Sequence, residues 1–346
     1  MTQASAIEAL IPIWQRVLQR PSVGTNDNFF DLGGTASSAY ELFAEIAKVL
    51  GRDLPPVLIY AAPTIETLSA LLEDPAPTRV PPLLLMKAGT DHLPVFIAHG
   101  LGDTVLELSG LVGKIDSLHP IYGMQARGID GVNEPFTSIE DMAQFHLDAI
   151  KQLQAHGPYF LIGYSLGGLV TLEIAQRLSA AGEKIALLAL VDSYPDKSQL
   201  SATQQALLSF RLAKRRAWSL MEPGSDRSRP RNPEDSKNAP QVNLVRPVTG
   251  RVTQRMRDSA YVALRQYRPR FYPGRIKFVK AEISTYFPDN PTAVWAHLAQ
   301  QFDVETVPGN HLGMLTAQFE TVGSVLSRYL HMGASPSFSN LQSNAG

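Results

Sequence analysis

The chain has 346 residues, 44% hydrophobic and 18% charged, with a net charge of −1 at pH 7. That length admits two domains, the near-neutral balance argues against a polyanion-binding protein, and the lack of cysteine excludes disulfides, thiolate metal sites and cysteine nucleophiles together. The N-terminus MTQASAIEAL has no basic segment leading into an apolar core, and no stretch approaches the ~20 apolar residues of a membrane span, so a soluble cytoplasmic protein with no membrane partner is expected.

Ile7, Leu10, Ile11, Trp14, Val17 and Leu18 recur at helical spacing and predict an amphipathic helix over residues 4–20. After the loop PSVGTNDNFFDLGGT, Leu42, Phe43, Ile46 and Leu50 mark a second helix that Gly51 stops. Ile65, Leu68, Leu71 and Leu72 give a third, short one over residues 64–72. Short helices within this length make a small all-α bundle.

Asn28-Phe29-Phe30-Asp31-Leu32-Gly33-Gly34-Thr35, at the entrance to the second helix, resembles the signature of acyl and peptidyl carrier domains. The later PTIETLSALL resembles that family's last helix, and the resemblance covers residues 4–74. It implies a serine bearing a 4′-phosphopantetheine arm at the position that Ala36 holds here. Ser37 and Ser38 follow, but they are turned by about 100° and 200° around the helix, away from where a phosphopantetheinyl transferase expects the hydroxyl. The favoured reading is one replaced residue in an intact motif, over a naturally silent carrier or a neighbouring serine that serves instead. No arm is expected on this chain.

Residues 1–74 hold Arg16, Arg20, Lys48 and Arg52 against nine acidic residues. This acidic domain suits docking on basic enzyme surfaces, or is equally a solvated face. Residues 75–82 form a proline-rich, semi-extended linker able to span about 25–30 Å.

From residue 83 the pattern becomes strands alternating with helices. LPVFIA at 93–98 and IYGM at 121–124 read as strands, and Thr137-x-x-Glu140 as a capping box before a helix that runs to about Ala155. Then comes YFLIGYSLGGL at 159–169, a short apolar strand running into Gly163-Tyr164-Ser165-Leu166-Gly167. This is G-x-S-x-G, the nucleophile elbow, whose glycines let a tight turn lift the serine to the sheet edge at a helix start. A helix over 167–181, the strand KIALLALV at 184–191, strands at 275–283 and 302–307, and a last helix from about Leu315 to Leu330 complete the alternation. Together with the elbow it predicts an α/β-hydrolase: a mostly parallel sheet with helices on both faces.

Residues 196–270 interrupt the alternation and read as a helical lid, with a polar middle, SDRSRPRNPEDSKNAP, expected to be mobile. The lid is basic between Arg211 and Asp258 but lacks interleaved aromatics, so nucleic acid is not an expected partner. The tail over 333–346 reads as disordered.

A serine hydroxyl attacks only as a base removes its proton, and this fold orders serine, acid and histidine along the chain. Of eight histidines only His297, His311 and His331 follow Ser165. His297 sits in the helix-like run AVWAHLAQQF and His331 trails the last helix, whereas His311 follows the last strand in VPGNHLGML. His311 is the expected base. Asp192, ending KIALLALV, is the preferred acid over Asp289, which sits in a looser turn. The oxyanion donors are expected from the backbone N–H groups of Leu166 and of Leu101 in HGLGD. No histidine–carboxylate cluster has metal spacing.

HGLGD, GYSLGG, LLALVDSYPD, the long lid and VPGNHLGML together resemble the thioesterase domains that end non-ribosomal peptide and polyketide synthetases. The resemblance covers residues 83–332, and in that family the acid follows the same strand as Asp192. It implies release of an acyl, peptidyl or polyketide chain from a phosphopantetheine thioester through Ser165, with a carrier in cis, upstream synthetase domains and a phosphopantetheinyl transferase as partners. An editing thioesterase, an ester hydrolase and a non-catalytic carrier-docking module are the rival readings.

Overall fold

The computed structural model describes residues 2–74, 79–101, 104–221, 250–284 and 287–333. The first part is helical: α1 (Gln3–Leu18), α2 (Ala36–Leu50), a 3-10 turn (Pro56–Tyr60) and α3 (Ile65–Glu73). Each α-helix starts on a threonine, Thr2, Thr35 or Thr64, whose hydroxyl accepts an orphan backbone N–H of the first turn. Leu10, Trp14, Leu42, Ile46 and Leu68 are fully buried between the helices. The carrier-like loop belongs to this core. Phe29 meets Trp14 edge-on at 5.4 Å, and Phe30 stacks on Tyr60 at 4.6 Å. A Cβ on Gly34 would lie 2.3 Å from the Phe29 ring, so the second glycine of the pair is demanded by packing.

The remainder is a seven-stranded sheet with β1 (Leu83–Lys87), β2 (Val95–Ala98), β3 (Ile121–Met124), β4 (Tyr159–Tyr164), β5 (Ile185–Val191), β6 (Tyr272–Ile283) and β7 (Ala299–Asn310) in the order β1-β3-β2-β4-β5-β6-β7. Every neighbouring pair is parallel except β1 with β3. The central β4 is buried along its whole length, as a strand covered on both faces must be. One face packs α5 (Ile139–Leu153) and α6 (Leu166–Ala180) around Leu161, Leu169 and Leu172. The other packs α4 (Ser109–Lys114) and the final helices α10 (Gly313–Thr316) and α11 (Phe319–Gly333) around Ile162, Val191 and Leu326. The two parts share one core: Leu84 of β1 and Val105 and Leu106 of the turn after β2 join the buried cluster of the helical bundle.

Several local expectations need correction. β1 was not foreseen, because only Leu84 of its five residues is buried and it adds at the antiparallel edge. The cap of α5 is Ser138, accepting from the Asp141 N–H, one residue on from the expected Thr137–Glu140 box. AVWAHLAQQF is not one helix. A short α9 (Pro291–Trp295) stops there, and β7 takes over from Ala299 because its backbone pairs with Tyr272 of β6. His331 lies within α11 rather than beyond it, and the last helical stretch is two pieces. The insertion contributes α7 (Ala202–Met221) and α8 (Arg251–Gln266). Its polar middle, like residues 334–346 of the tail and 75–78 of the linker, falls outside the described residues.

Candidate active site

β4 runs straight into the elbow. Ser165 takes φ 54° and ψ −121°, a backbone state that an ordinary residue adopts only when its surroundings enforce it. They do. A Cβ on Gly163 would meet the Gly167 carbonyl oxygen at 2.4 Å, and one on Gly167 would meet the His99 oxygen at 2.5 Å. Side chains at these positions would push the turn open. The Ser165 N–H is tied to the Val191 oxygen at 3.0 Å, so the neighbouring strand fixes the elbow from below.

Three polar side chains from three strand ends meet here. His311 Nε2 lies 3.1 Å from Ser165 Oγ, and its Nδ1 lies 2.9 Å from Asp192 Oδ2. Asp192 is 4% exposed, and its second oxygen accepts the Ala281 N–H at 3.2 Å, so both carboxylate oxygens are engaged. Its φ of 45° turns the chain at the end of β5 so that the carboxylate faces His311. With the carboxylate accepting from Nδ1–H, Nε2 is left to receive the serine proton. Asp289, the alternative acid, is elsewhere: its side chain is 68% exposed and pairs with Arg211 of α7.

The oxyanion loop follows β2. The Gly100 N–H donates to Glu107 in the turn Val105–Leu108, which anchors the loop one residue before Leu101. The Leu166 N–H opens α6, where the first turn's amides lack intrahelical partners. Gly102 and Asp103 lie outside the described residues. His99, which precedes the serine, is committed to the loop: one ring nitrogen faces the Gly100 oxygen at 2.9 Å and the other accepts the Ala126 N–H at 3.2 Å.

Sequence reasoning missed the groups that hold His311 in place. Tyr164 stacks on its ring at 4.8 Å with planes 16° apart, and Phe287 meets it at 4.9 Å, near edge-on. Phe287 in turn stacks on Tyr194 at 4.8 Å. Arg211 donates to the Ser284 oxygen at 2.8 Å and the Phe287 oxygen at 3.1 Å, fastening α7 to this segment. A lone arginine in a basic helix gives no sequence signal of such a latch. The Tyr164 signal was present but indistinct, being a variable position of the elbow motif.

In the helical part Ala36 is the first residue of α2 and half-buried against the bundle core. It has no oxygen through which a phosphodiester to pantetheine could form. Ser38 is occupied as well: its Oγ accepts the Thr35 N–H at 2.7 Å and its own N–H goes to Thr35 Oγ1, a reciprocal cap. Ser37 is exposed. Position 36 as it stands does not fit the group. Among the described residues no three histidine, cysteine or acidic side chains gather as a metal site.

Fold and site together define an α/β-hydrolase with a serine nucleophile arrangement. Comparison with known proteins narrows this. Residues 8–72 match the family model described as "Phosphopantetheine attachment site", and residues 94–221 match "Thioesterase domain". A dimodular nonribosomal peptide synthase of Bacillus subtilis is 37% identical over 190 residues, 55% of this chain and 8% of that protein. The malpibaldin synthetase of Mortierella alpina is 32% identical over 291 residues, 79% of this chain and 5% of that protein. This chain thus spans less than a tenth of each. Among solved structures, a four-domain nonribosomal peptide synthetase in its holo form superposes with a TM-score of 0.58 at 20% identity, covering 93% of this chain and 26% of that one. The type II thioesterase from the borrelidin cluster superposes at 0.52 and 17% identity, covering 72% of this chain and 97% of that one, a likeness of fold. The chain is a carrier–thioesterase didomain of the nonribosomal peptide synthetase type, and its second domain is a serine thioesterase.

Proposed function

We propose that this didomain releases a finished chain. Residues 1–74 are the carrier domain, 75–82 the linker and 83–332 the thioesterase domain with its lid over 196–270. Ser165 Oγ attacks the carbonyl of an acyl, peptidyl or polyketide thioester, and its proton passes to His311 Nε2 while Asp192 stabilises the charged ring. The N–H groups of Leu101 and Leu166 receive the oxyanion, each contributing about 3–4 kcal/mol to the transition state. The carbon–sulfur bond then breaks, the proton returns from His311 to the departing sulfur, and an acyl ester remains on Ser165. Water, or a nucleophile within the chain itself, deprotonated by the same His311, releases it.

The observation that carries this reading is the continuous contact from Ser165 through His311 to Asp192 at 3.1 and 2.9 Å. Because Ala36 offers no oxygen, substrate comes on another carrier's arm or as a small thioester. Two measurements test this. Small acyl thioesters should be hydrolysed, and a fluorophosphonate should label the protein once, with both activities lost in Ser165→Ala. Intact mass after treatment with a phosphopantetheinyl transferase and coenzyme A should show no gain for this chain and one arm for Ala36→Ser. A thioesterase-dead but fluorophosphonate-silent wild type would favour the docking-module reading, and an arm on the present chain would point to Ser37.

A further inference from the structure

The four residues of the turn Val105–Leu108 lead to three different places. Val105 and Leu106, 0% and 1% exposed, belong to the buried cluster of the carrier bundle. Leu108 belongs to the cluster on the sheet face that carries α4, α10 and α11. Glu107, between them, accepts the Gly100 N–H. The turn itself is fixed: Thr104 Oγ1 accepts the Leu106 N–H at 3.2 Å, and the Val105 N–H donates to Gln125 Oε1 at 3.0 Å.

Gly100 directly precedes Leu101, whose amide is assigned to the oxyanion, and it has little room. A Cβ there would lie 3.2 Å from Glu107 Oε1 and 3.2 Å from the Tyr164 ring, the ring that stacks on His311. The Glu107 hydrogen bond therefore sets where the loop stands against the elbow. On the far side of the turn is the carrier bundle. Tyr60 of its 3-10 turn is 9% exposed, its hydroxyl meets the Ser109 side chain at the start of α4, and its ring stacks on Phe30. Phe30 lies in the carrier loop that runs into Ala36. Contacts are thus continuous from that loop to the residue before Leu101.

We infer, on the release reading above, that Glu107 is a positioning residue for the oxyanion donor and that the seated carrier bundle holds the turn from which it acts. The bundle covers Val105 and Leu106, the same turn presents the Glu107 carboxylate to Gly100, and Gly100 sets the direction of the Leu101 amide. A donor moved off its line loses much of its worth, because the charge it serves exists only in the transition state. Hydrolysis is therefore tied to the bundle's seat even for a small thioester that never visits a carrier.

The test uses the full chain, an N-acetylcysteamine thioester of a medium-length acid, and the trifluoromethyl ketone of the same chain. Ser165 Oγ adds to the ketone carbonyl, which leaves an oxyanion in the donors' place. The Ki of the ketone reports the oxyanion site and, unlike an apparent kcat, does not change when part of the protein unfolds. Glu107→Ala should lower kcat and raise this Ki by about 10- to 100-fold each, while KM moves little. Glu107→Gln, which keeps an oxygen for the Gly100 N–H, should recover most of both. Leu106→Ala disturbs the seat and should raise Ki by about 3- to 10-fold. Tyr60→Phe, which keeps the Phe30 stack and removes only the hydroxyl, should raise it less. On a Glu107→Ala background the Leu106→Ala step should add nothing, because the link is already cut. An unchanged Ki in Glu107→Ala, or a glutamine variant no better than the alanine, overturns the positioning role. Effects of Glu107→Ala and Leu106→Ala that multiply in full overturn the part assigned to the carrier. The release reading survives either result as long as the wild type hydrolyses the thioester. A wild type that neither hydrolyses it nor binds the ketone overturns both.

Discussion

Tyr164 and His311 hold each other twice. The tyrosine ring lies on the imidazole at 4.8 Å, and the tyrosine hydroxyl donates to the His311 backbone oxygen at 2.9 Å. The residue just before the nucleophile therefore fixes both the ring and the backbone of the base, and it is itself 3% exposed. Tyr164→Phe keeps the stack and removes the hydrogen bond. It should cost about 1 kcal/mol in urea unfolding and only a few-fold in kcat. Tyr164→Ala removes both, leaves a void beside Gly100, and should cost about 3–5 kcal/mol with a much larger loss of kcat. Equal damage from the two variants would assign the positioning to the hydrogen bond alone.

The two aspartates considered for the acid separate cleanly in space. Asp192 is 4% exposed and touches His311, whereas the Asp289 side chain is 68% exposed and pairs with Arg211. Asp192→Asn leaves the shape intact but favours the wrong ring tautomer, so kcat should fall by roughly 10⁴-fold while circular dichroism stays the same. Asp289→Asn weakens one anchor of α7 and should change kcat by no more than a few-fold. Steady-state kinetics of the pair decides, and reversed magnitudes would move the acid to Asp289.

How much of this was legible follows from which forces are local. The elbow was readable because Gly163 answers to the Gly167 backbone within five residues, and the carrier loop because Gly34 answers to Phe29 in the same way, whereas Gly167 itself answers to the distant Ala98 and His99 backbone. Asp192 and His311 were placed by chain order and strand ends, which set where a backbone emerges from the sheet. β7 was mistaken for helix over part of AVWAHLAQQF because its partner, Tyr272, is 27 residues distant in sequence and its side chains alternate only loosely. β1 was missed for a related reason, since its pairing with β3 rather than its own pattern makes it a strand. Phe287 and Arg211 act on the site through contacts across many residues, and no local pattern carries them.

Glu173 is a buried carboxylate that fastens the end of the lid to the helix behind the nucleophile. It is 2% exposed and accepts from Arg177 Nε at 2.9 Å, Arg270 Nη2 at 3.1 Å and the Tyr267 hydroxyl at 3.1 Å. Burial, with the adjacent carboxylate, raises the Tyr267 hydroxyl above its ordinary range and keeps it a donor. Glu173→Ala strands the tyrosine hydroxyl, while the two arginines retain access to water, so the loss should be about 2–3 kcal/mol, below that of a fully buried pair. Hydrogen exchange should quicken at the C-terminal end of α8 before the sheet responds. Unchanged protection there would mean that apolar packing of Ala260 and Ala263 holds the helix without the carboxylate.

Glu183 ties the turn after α6 to the start of β4 and gives the fold an acid-sensitive corner. Its carboxylate accepts from Lys151 Nζ at 2.6 Å, from the Gly157 N–H at 2.8 Å and contacts His156 Nδ1 at 3.2 Å. The Lys151 ammonium first, and the Gly157 amide second, pull its pKa from 4.5 down to about 2. Because the folded value lies below the unfolded one, the folded state favours the ionised form. The resulting stabilisation is complete above 4.5 and fades as the pH falls through about 2. Glu183→Gln should therefore melt below the wild type at neutral pH, and the two melting temperatures should converge as the pH drops through that window. Thermal unfolding followed by circular dichroism across the acid range reads this directly. A gap of constant size at every pH would show that the glutamate acts through packing and neutral hydrogen bonds rather than through its charge.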